Sequence, residues 1–124
     1  MKKLFLAIVF LLAPAMGLAE AGDTRFVEVW ECTLNDGKTA AEVKAHNTKW
    51  LAFVRKTNAD INSYGMERMV GESGPFMFAD VYPDLQAWGA AKASLDSDEG
   101  RALDQGFGEL LTCGKNRLYK STQH

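Results

Sequence analysis

The spacing of apolar residues along the chain predicts strands and helices in alternation. Residues 25–34 (RFVEVWECTL) are rich in β-branched and aromatic side chains in rough alternation, which predicts a first strand. A turn follows at 35–37 (NDG). Beyond it Val43, Trp50 and Val54 recur on one stripe of a helical wheel, which predicts an amphipathic helix.

A capping box marks the start of this helix. Thr39 is followed three residues later by Glu42, so each side chain can accept a hydrogen bond from a backbone N–H that the helix leaves free. We expect the helix to run to about Lys56.

Two more strands precede a second helical region. Residues 61–71 (INSYGMERMVG) and 76–82 (FMFADVY) have the composition of strands, and ESGP at 72–75 predicts a hairpin turn between them. Pro83 should end the third strand. Asp84 can cap the helix that begins with LQAWGAAKASL.

The end of the chain completes the order of elements. SDEG at 97–100 interrupts the second helical region, which continues or restarts at 101–111 (RALDQGFGELL), and a last strand follows at 113–121 (CGKNRLYKS). The order β-α-β-β-α-β predicts an α+β, ferredoxin-like fold, with a four-stranded antiparallel sheet and its helices on one face.

The first 21 residues have the layout of a secretory signal peptide. Lys2 and Lys3 precede an apolar run, and the small residues of GLAEA allow cleavage after Ala19 or Ala21. The run is about a dozen residues, shorter than the roughly 18 that suggest a membrane span, so cleavage is favoured over an uncleaved anchor. We expect one domain at 22–124, periplasmic or secreted, without membrane contact after cleavage.

The two cysteines are predicted to form a disulfide. Cys32 lies late in the first strand and Cys113 at the start of the last, and these strands are antiparallel neighbours in a ferredoxin-like sheet. A small exported domain with two cysteines favours a bridge over two unpaired thiols. The spacing excludes a CxxC redox pair.

Charge and motifs limit the partners. The chain has 14 Lys and Arg against 16 Asp and Glu, and no basic run follows the predicted cleavage site, so we expect no nucleic-acid partner. The glycines lack the spacing of a phosphate loop, and no GxSxG motif occurs. His46 and the terminal His124 are poor metal ligands, and we predict neither a metal nor a cofactor.

The third strand presents two unlike faces, aliphatic on one side and mainly aromatic on the other. Aliphatic residues suit contact with helices, and a large aromatic face needs another cover because such patches rarely stay in water. A second copy of the chain is the economical cover, which predicts a homodimer. The aliphatic set is Met77, Ala79 and Val81, and the other is Phe76, Phe78, Asp80 and Tyr82.

The chain resembles the dimeric α+β barrel superfamily. The resemblance rests on the strand order, on FADVYPDLQAW at 78–88 and on S-x-x-G at 97–100, and it covers nearly all of the mature chain. In that superfamily two sheets face each other across a dimer. Its members include antibiotic-biosynthesis-type monooxygenases, haem-degrading enzymes and proteins of no known activity. The resemblance implies a small cavity in each subunit, between the sheet and its surroundings, and leaves the chemistry open.

Alternation places Glu28, Trp30, Asp80 and Tyr82 on one face of two adjacent central strands. A carboxylate pair among aromatic rings can have a raised pKa and act as an acid or base. The alternative, which we favour, is a set of salt bridges and hydrogen bonds that fixes the dimer.

Helix one and the second strand offer further candidates. Asn47 lies on the apolar stripe, so its amide must bond the sheet backbone or line a cavity if it is buried. Arg68 or Glu67 can join the polar face, depending on register. His46 flanks the stripe and is best explained as a surface or boundary residue, so we do not transfer the haem-ligand role of haem-degrading relatives to it. The ligand-pocket candidates are Glu28, Trp30, Asn47, Arg68, Asp80 and Tyr82.

Two functions remain open. The favoured one is an exported homodimer that binds a small apolar or aromatic ligand in a pocket on the barrel face. The alternative is a cofactor-independent monooxygenase-like or isomerase-like enzyme that uses the polar residues of the barrel.

Overall fold

The computed structural model describes residues 23–72 and 74–124, so the predicted signal peptide lies outside the described residues. The elements of these two ranges form one antiparallel sheet in the order β2-β3-β1-β4 with three helices, and the predicted ferredoxin-like fold is confirmed. No helix within these two ranges is long and apolar enough to cross a membrane. The elements are β1 (Thr24–Leu34), α1 (Ala40–Val54), β2 (Asn62–Met66), β3 (Phe76–Tyr82), α2 (Leu85–Ser94), α3 (Asp98–Leu110) and β4 (Leu111–Thr122).

Each helix begins at a side-chain cap. The predicted capping box is present: Thr39 Oγ1 accepts from the Glu42 N–H at 3.3 Å, and Glu42 Oε2 accepts from the Thr39 N–H at 2.8 Å. Asp84 caps α2, as predicted. Ser97 caps α3, so the second helical region restarts rather than continues. Gly100 permits this junction, because a Cβ there would lie 2.5 Å from backbone atoms of the preceding turn.

The second strand is shorter than the sequence predicts. Residues 61–71 are predicted as a strand, but β2 ends at Met66, which pairs with Met77 of β3. The chain then leaves the ladder: Gly71 has a φ of 97°, and the Arg68 side chain turns to the Glu72 carbonyl at 2.9 Å. The connection is therefore a longer loop than the predicted turn at 72–75.

The prediction that the aliphatic face of β3 packs against the helices is wrong. The face that carries Phe78, Asp80 and Tyr82 lies beneath the helices, and Tyr82 is fully buried in their core. The reason lies on α2, which turns the small residues Ala87 and Ala91 towards the sheet and so leaves room for the large side chains of β3. The core here comprises Trp50, Phe53, Val54, Ile61, Tyr82, Ala87 and Ala91.

None of the three helices in the described part of the chain covers the opposite side of the sheet, here named the open face. Glu31 lies on this face and pairs with Arg117 at 3.1 Å and Lys115 at 3.7 Å. Tyr64 and Tyr119 are about half exposed. The register places on this face Tyr64, Met66, Met77, Ala79, Val81, Val27, Val29, Glu31, Lys115, Arg117 and Tyr119.

The predicted disulfide is confirmed. Cys32 and Cys113 are directly opposite each other on β1 and β4, with a register shift between Glu31 and Cys32, and their sulfurs are bonded. The bridge joins residues 81 positions apart in the sequence and fixes the start of β4 to the middle of the sheet.

Candidate ligand-binding cavity

A cavity of about 180 Å³ lies between the sheet and the three helices. Its surface is mainly apolar and aromatic, and the Cys32–Cys113 bridge forms part of it. Four polar side chains also reach it. The aromatic residues are Trp30, Trp50, Phe78, Tyr82 and Phe107, the aliphatic ones are Ala91, Leu95 and Leu111, and the polar ones are Asn47, Asp80, Lys92 and Asp104.

Strand register sets the floor of this cavity. Trp30 of β1 lies opposite Phe78 of β3, and Glu28 lies opposite Asp80, so all four side chains share the face beneath the helices. Alternation along the sequence predicts this grouping, and the structure places it under the helices instead of between two sheets.

A chain of hydrogen bonds runs from α1 to Asp80. The Asn47 Nδ2 donates to Ser63 Oγ at 2.9 Å, and Ser63 Oγ donates to Asp80 Oδ1 at 2.6 Å. Asn47 and Asp80 both line the cavity, and Ser63 of β2 holds them in place. The partly buried Asn47 amide therefore has a hydrogen-bond partner in a side chain of the sheet.

Burial raises the pKa of Asp80 to about 6. The apolar surroundings disfavour the charged carboxylate, and the nearby charge of Glu28 adds to the effect, while the Ser63 hydrogen bond and Lys92 oppose it. Burial also raises the pKa of the Tyr82 hydroxyl well above its ordinary value, and the charges of Asp80 and Glu28 act in the same direction. Tyr82 is thus a neutral hydrogen-bond donor, and Asp80 titrates near neutral pH.

Glu28 lies beside the cavity and contacts two of the residues that line it, Tyr82 and Lys92. It is 2 % exposed and forms an ion pair with Lys92 at 2.6 Å. Three neutral donors also reach it: Asn116 Nδ2 at 2.7 Å, Trp88 Nε1 at 3.3 Å and the Tyr82 hydroxyl at 3.4 Å. These contacts satisfy a buried carboxylate and join β1 to β3, α2 and β4.

Lys92 is a cavity residue that sequence reasoning missed. Its ammonium lies 2.6 Å from Glu28 and 5.1 Å from the centre of the Trp30 ring, while about a third of the side chain stays exposed. The available signal is its position: Lys92 follows Ala91 on the helix face that packs on the sheet, where Glu28 needs a cation. Asp104 and Phe107 of α3 were missed as well, and neither has a distinctive sequence signal.

Two other candidate residues lie elsewhere. Arg68 is exposed in the loop between β2 and β3 and does not line the cavity. His46 Nε2 lies 2.7 Å from the Leu103 carbonyl, and its ring meets Phe107 edge-on at 4.5 Å. His46 is therefore a packing residue between α1 and α3. Among the described residues, no group of three or more His, Cys, Asp or Glu is arranged to hold a metal ion.

Several solved structures have a fold similar to that of this chain. SnoaB from Streptomyces nogalater, described as a cofactor-independent oxygenase, superposes with a TM-score of 0.57 over 84% of this chain and 97% of its own, at 14% identity. A dimeric ferredoxin-like protein of unknown function from Thermobifida fusca superposes with a TM-score of 0.51 over 81% of this chain and 92% of its own, at 13% identity. At 13% and 14% identity, these likenesses show the fold alone, and that fold is the ferredoxin-like one predicted from the sequence. No family model matches the chain, and no curated protein matches it in sequence.

Proposed function

We propose that this protein is an exported homodimer in which each subunit binds a small aromatic molecule in the cavity between sheet and helices. The observation that carries the proposal is the cavity itself, about 180 Å³ in volume and lined by five aromatic side chains. An engineered apolar cavity of roughly 150 Å³ is large enough to bind benzene, so this one suits a single substituted ring.

The polar residues of the cavity give the ligand an orientation. Asn47 of α1 and Asp80 of β3 both line the cavity and are joined through Ser63, and Asp104 of α3 is exposed at the rim. A ring among the aromatic side chains can therefore direct one polar substituent to Asp80. A few placed polar groups in an apolar pocket are the usual basis of specificity.

The open face supports the homodimer. It carries Tyr64 and Tyr119, both about half exposed, beside the aliphatic residues of β3. Protein interfaces are enriched in aromatic residues, Met and Arg, and those of homodimers are more apolar than the rest of the surface. We expect a symmetric dimer with the two open faces in contact.

Two adjacent residues of β4 provide a matched test of the dimer. Tyr119 lies on the open face and Leu118 on the face towards the helices, and their exposures are 48% and 39%. Tyr119→Lys should shift sedimentation equilibrium from dimer to monomer, because it adds a cation beside Lys115 and Arg117. Leu118→Lys should leave the dimer intact. A monomeric parent protein, or equal effects of both variants, contradicts this interface.

Export is proposed from the first 21 residues and is supported by the disulfide, because bridges persist in oxidising compartments. Mass spectrometry of protein recovered from the periplasm or medium should give a mass that begins at Glu20 or Gly22. A full-length mass from that fraction contradicts cleavage.

Two leucines at opposite ends of α2, Leu85 in its first turn and Leu95 directly after its last residue, test ligand binding. Leu95 lines the cavity and Leu85 is 52% exposed. Leu95→Phe should fill the cavity and weaken calorimetric binding of benzyl alcohol about tenfold or more, whereas Leu85→Phe should leave it unchanged. Equal affinities for the two variants contradict binding in this cavity.

The second candidate is a cofactor-independent enzyme, favoured by Asp80. Its carboxylate has a pKa of about 6 in an apolar site, which suits a general base near neutral pH. The likeness to SnoaB in fold is compatible with such chemistry. The test is exchange of the acidic C–H protons of 2-indanone in D₂O, followed by NMR. Faster exchange that Asp80→Asn removes while 2-indanone still binds supports an enzyme, and no acceleration contradicts it.

A further inference from the structure

The charges around the cavity are unevenly distributed. Three charged side chains line it: the carboxylates of Asp80 and Asp104 and the ammonium of Lys92. Lys92 is already paired with Glu28 at 2.6 Å, so its charge is largely offset. The two remaining carboxylates leave the cavity with a negative character.

Like the two carboxylates, the aromatic walls favour a ligand with a positive charge. The Lys92 ammonium sits 5.1 Å from the centre of the Trp30 ring, which is the distance of a cation–π contact. Trp50, Phe78 and Tyr82 offer further ring surfaces around the same space. Proteins use aromatic rings to recognise organic ammonium groups, and a carboxylate nearby adds the attraction of opposite charges.

Asp80 is the carboxylate best placed to meet a bound cation. It is 6 % exposed, and Ser63 donates to its Oδ1. A buried carboxylate held by a neutral donor is stabilised when an ammonium reaches it, because the ion pair offsets the lost hydration. An anion would instead face the unpaired charges of Asp80 and Asp104.

We propose that the cavity selects a small aromatic amine in its protonated form, with the ammonium at Asp80 and the ring among the aromatic side chains. This inference rests on the proposed function and names its ligand class. It makes Asp80 the residue that determines specificity, and Asp104 a weaker contributor at the solvent-exposed rim.

Three probes of nearly the same shape test the proposal. Benzylamine, benzyl alcohol and benzoate are cationic, neutral and anionic at pH 7.5, and each is titrated into the full mature protein by calorimetry. We expect benzylamine to bind about tenfold or more tightly than benzyl alcohol, and benzoate to bind most weakly.

Substitutions identify the group responsible. Asp80→Asn should remove the preference for benzylamine while benzyl alcohol still binds, since the amide is close in shape to the carboxylate. Asp104→Asn should reduce the preference partly. The control is Asp98→Asn, because Asp98 lies on α3 with a side chain that is 98% exposed and paired with Arg101, and this change should have no effect.

The outcomes separate the inference from the function on which it rests. Equal binding of benzylamine and benzyl alcohol overturns the selectivity for amines and leaves the aromatic cavity standing. Tightest binding of benzoate also overturns it and points to Lys92 as an anion site. Binding of none of the three probes overturns the proposed function itself. A preference for benzylamine that survives Asp80→Asn overturns the role of Asp80.

Discussion

Ser63 donates a hydrogen bond of 2.6 Å to Asp80, and this bond joins the outer strand β2 to the floor of the cavity. Ser63 also accepts from Asn47 of α1, so three elements fix one carboxylate. The hydrogen bond lowers the pKa of Asp80, yet burial outweighs it and the pKa rises to about 6. The protein therefore holds a carboxylate in a place where its charge is unfavourable.

The first prediction concerns stability against pH. The folded protein binds a proton at Asp80 more tightly than the unfolded chain does, so this stabilisation is complete below about pH 4 and is lost as the pH rises through 6. At pH 7.5 the buried charge should reduce stability by about 2–3 kcal/mol relative to pH 4. Urea unfolding measures the free energy of unfolding of the parent and of Asp80→Asn at both pH values. Between pH 4 and 7.5 the parent should lose about this amount of stability relative to the variant, because Asn does not ionise. Parallel pH profiles contradict the prediction.

The second prediction concerns the contacts of Glu28. Glu28→Ala removes the buried carboxylate that the Lys92 ammonium and the Asn116 amide contact, and it should lower the free energy of unfolding by about 2–4 kcal/mol. Glu28→Gln should lose less because an amide oxygen still accepts hydrogen bonds. Glu99→Ala is the control, since its pair with Lys56 is exposed, and it should change stability by less than about 1 kcal/mol. Similar losses for Glu28→Ala and Glu99→Ala contradict the structural role of Glu28.

The third prediction concerns the disulfide. Cys32–Cys113 joins residues 81 positions apart and so restricts the unfolded chain. Its removal should raise the conformational entropy of the unfolded state and lower the free energy of unfolding by about 4 kcal/mol. Urea unfolding with and without reductant measures the loss. The double variant Cys32→Ala, Cys113→Ala serves as the control and should unfold alike in both conditions. Reduction that leaves the parent's midpoint unchanged argues against the bridge.

The fourth prediction concerns the contact between α1 and α3. A Cβ on Gly106 would lie 2.3 Å from the His46 ring, which is held by the Leu103 carbonyl and by Phe107. Gly106→Ala should therefore destabilise the fold by about 1–3 kcal/mol. Gly108 lies on the same helix with open space around it, and Gly108→Ala should stabilise by about 0.5–1 kcal/mol. Thermal unfolding decides the signs, and a stabilising Gly106→Ala contradicts the packing of His46.

Much of the fold could be predicted from local patterns. Thr39, Asp84 and the β3 segment at 76–82 carry signals that depend only on neighbouring residues, so their elements appear where the sequence predicts them. The disulfide follows from strand order, because Cys32 and Cys113 fall at ends that an antiparallel pair brings together.

The sheet faces could not be assigned in this way. Alternation shows that Asp80 and Tyr82 share a face, but it does not say which face the helices cover. That depends on how α2 turns its small residues Ala87 and Ala91 towards β3, which is a matter of packing between distant elements. Lys92 was missed for the same reason, since a helical lysine is solvent-exposed unless tertiary structure gives it a buried partner such as Glu28.

The three tryptophans of the chain allow the most direct measurement of ligand binding in the cavity. Trp30 and Trp50 line it, whereas the Trp88 indole N–H donates to Glu28 outside it. Indole N–H resonances, assigned with single Trp→Phe variants, should be followed by ¹⁵N NMR during titration with benzylamine. The proposal predicts saturable shifts at Trp30 and Trp50 and a much smaller shift at Trp88. No shift at Trp30 and Trp50, or equal shifts at all three, contradicts binding in this cavity.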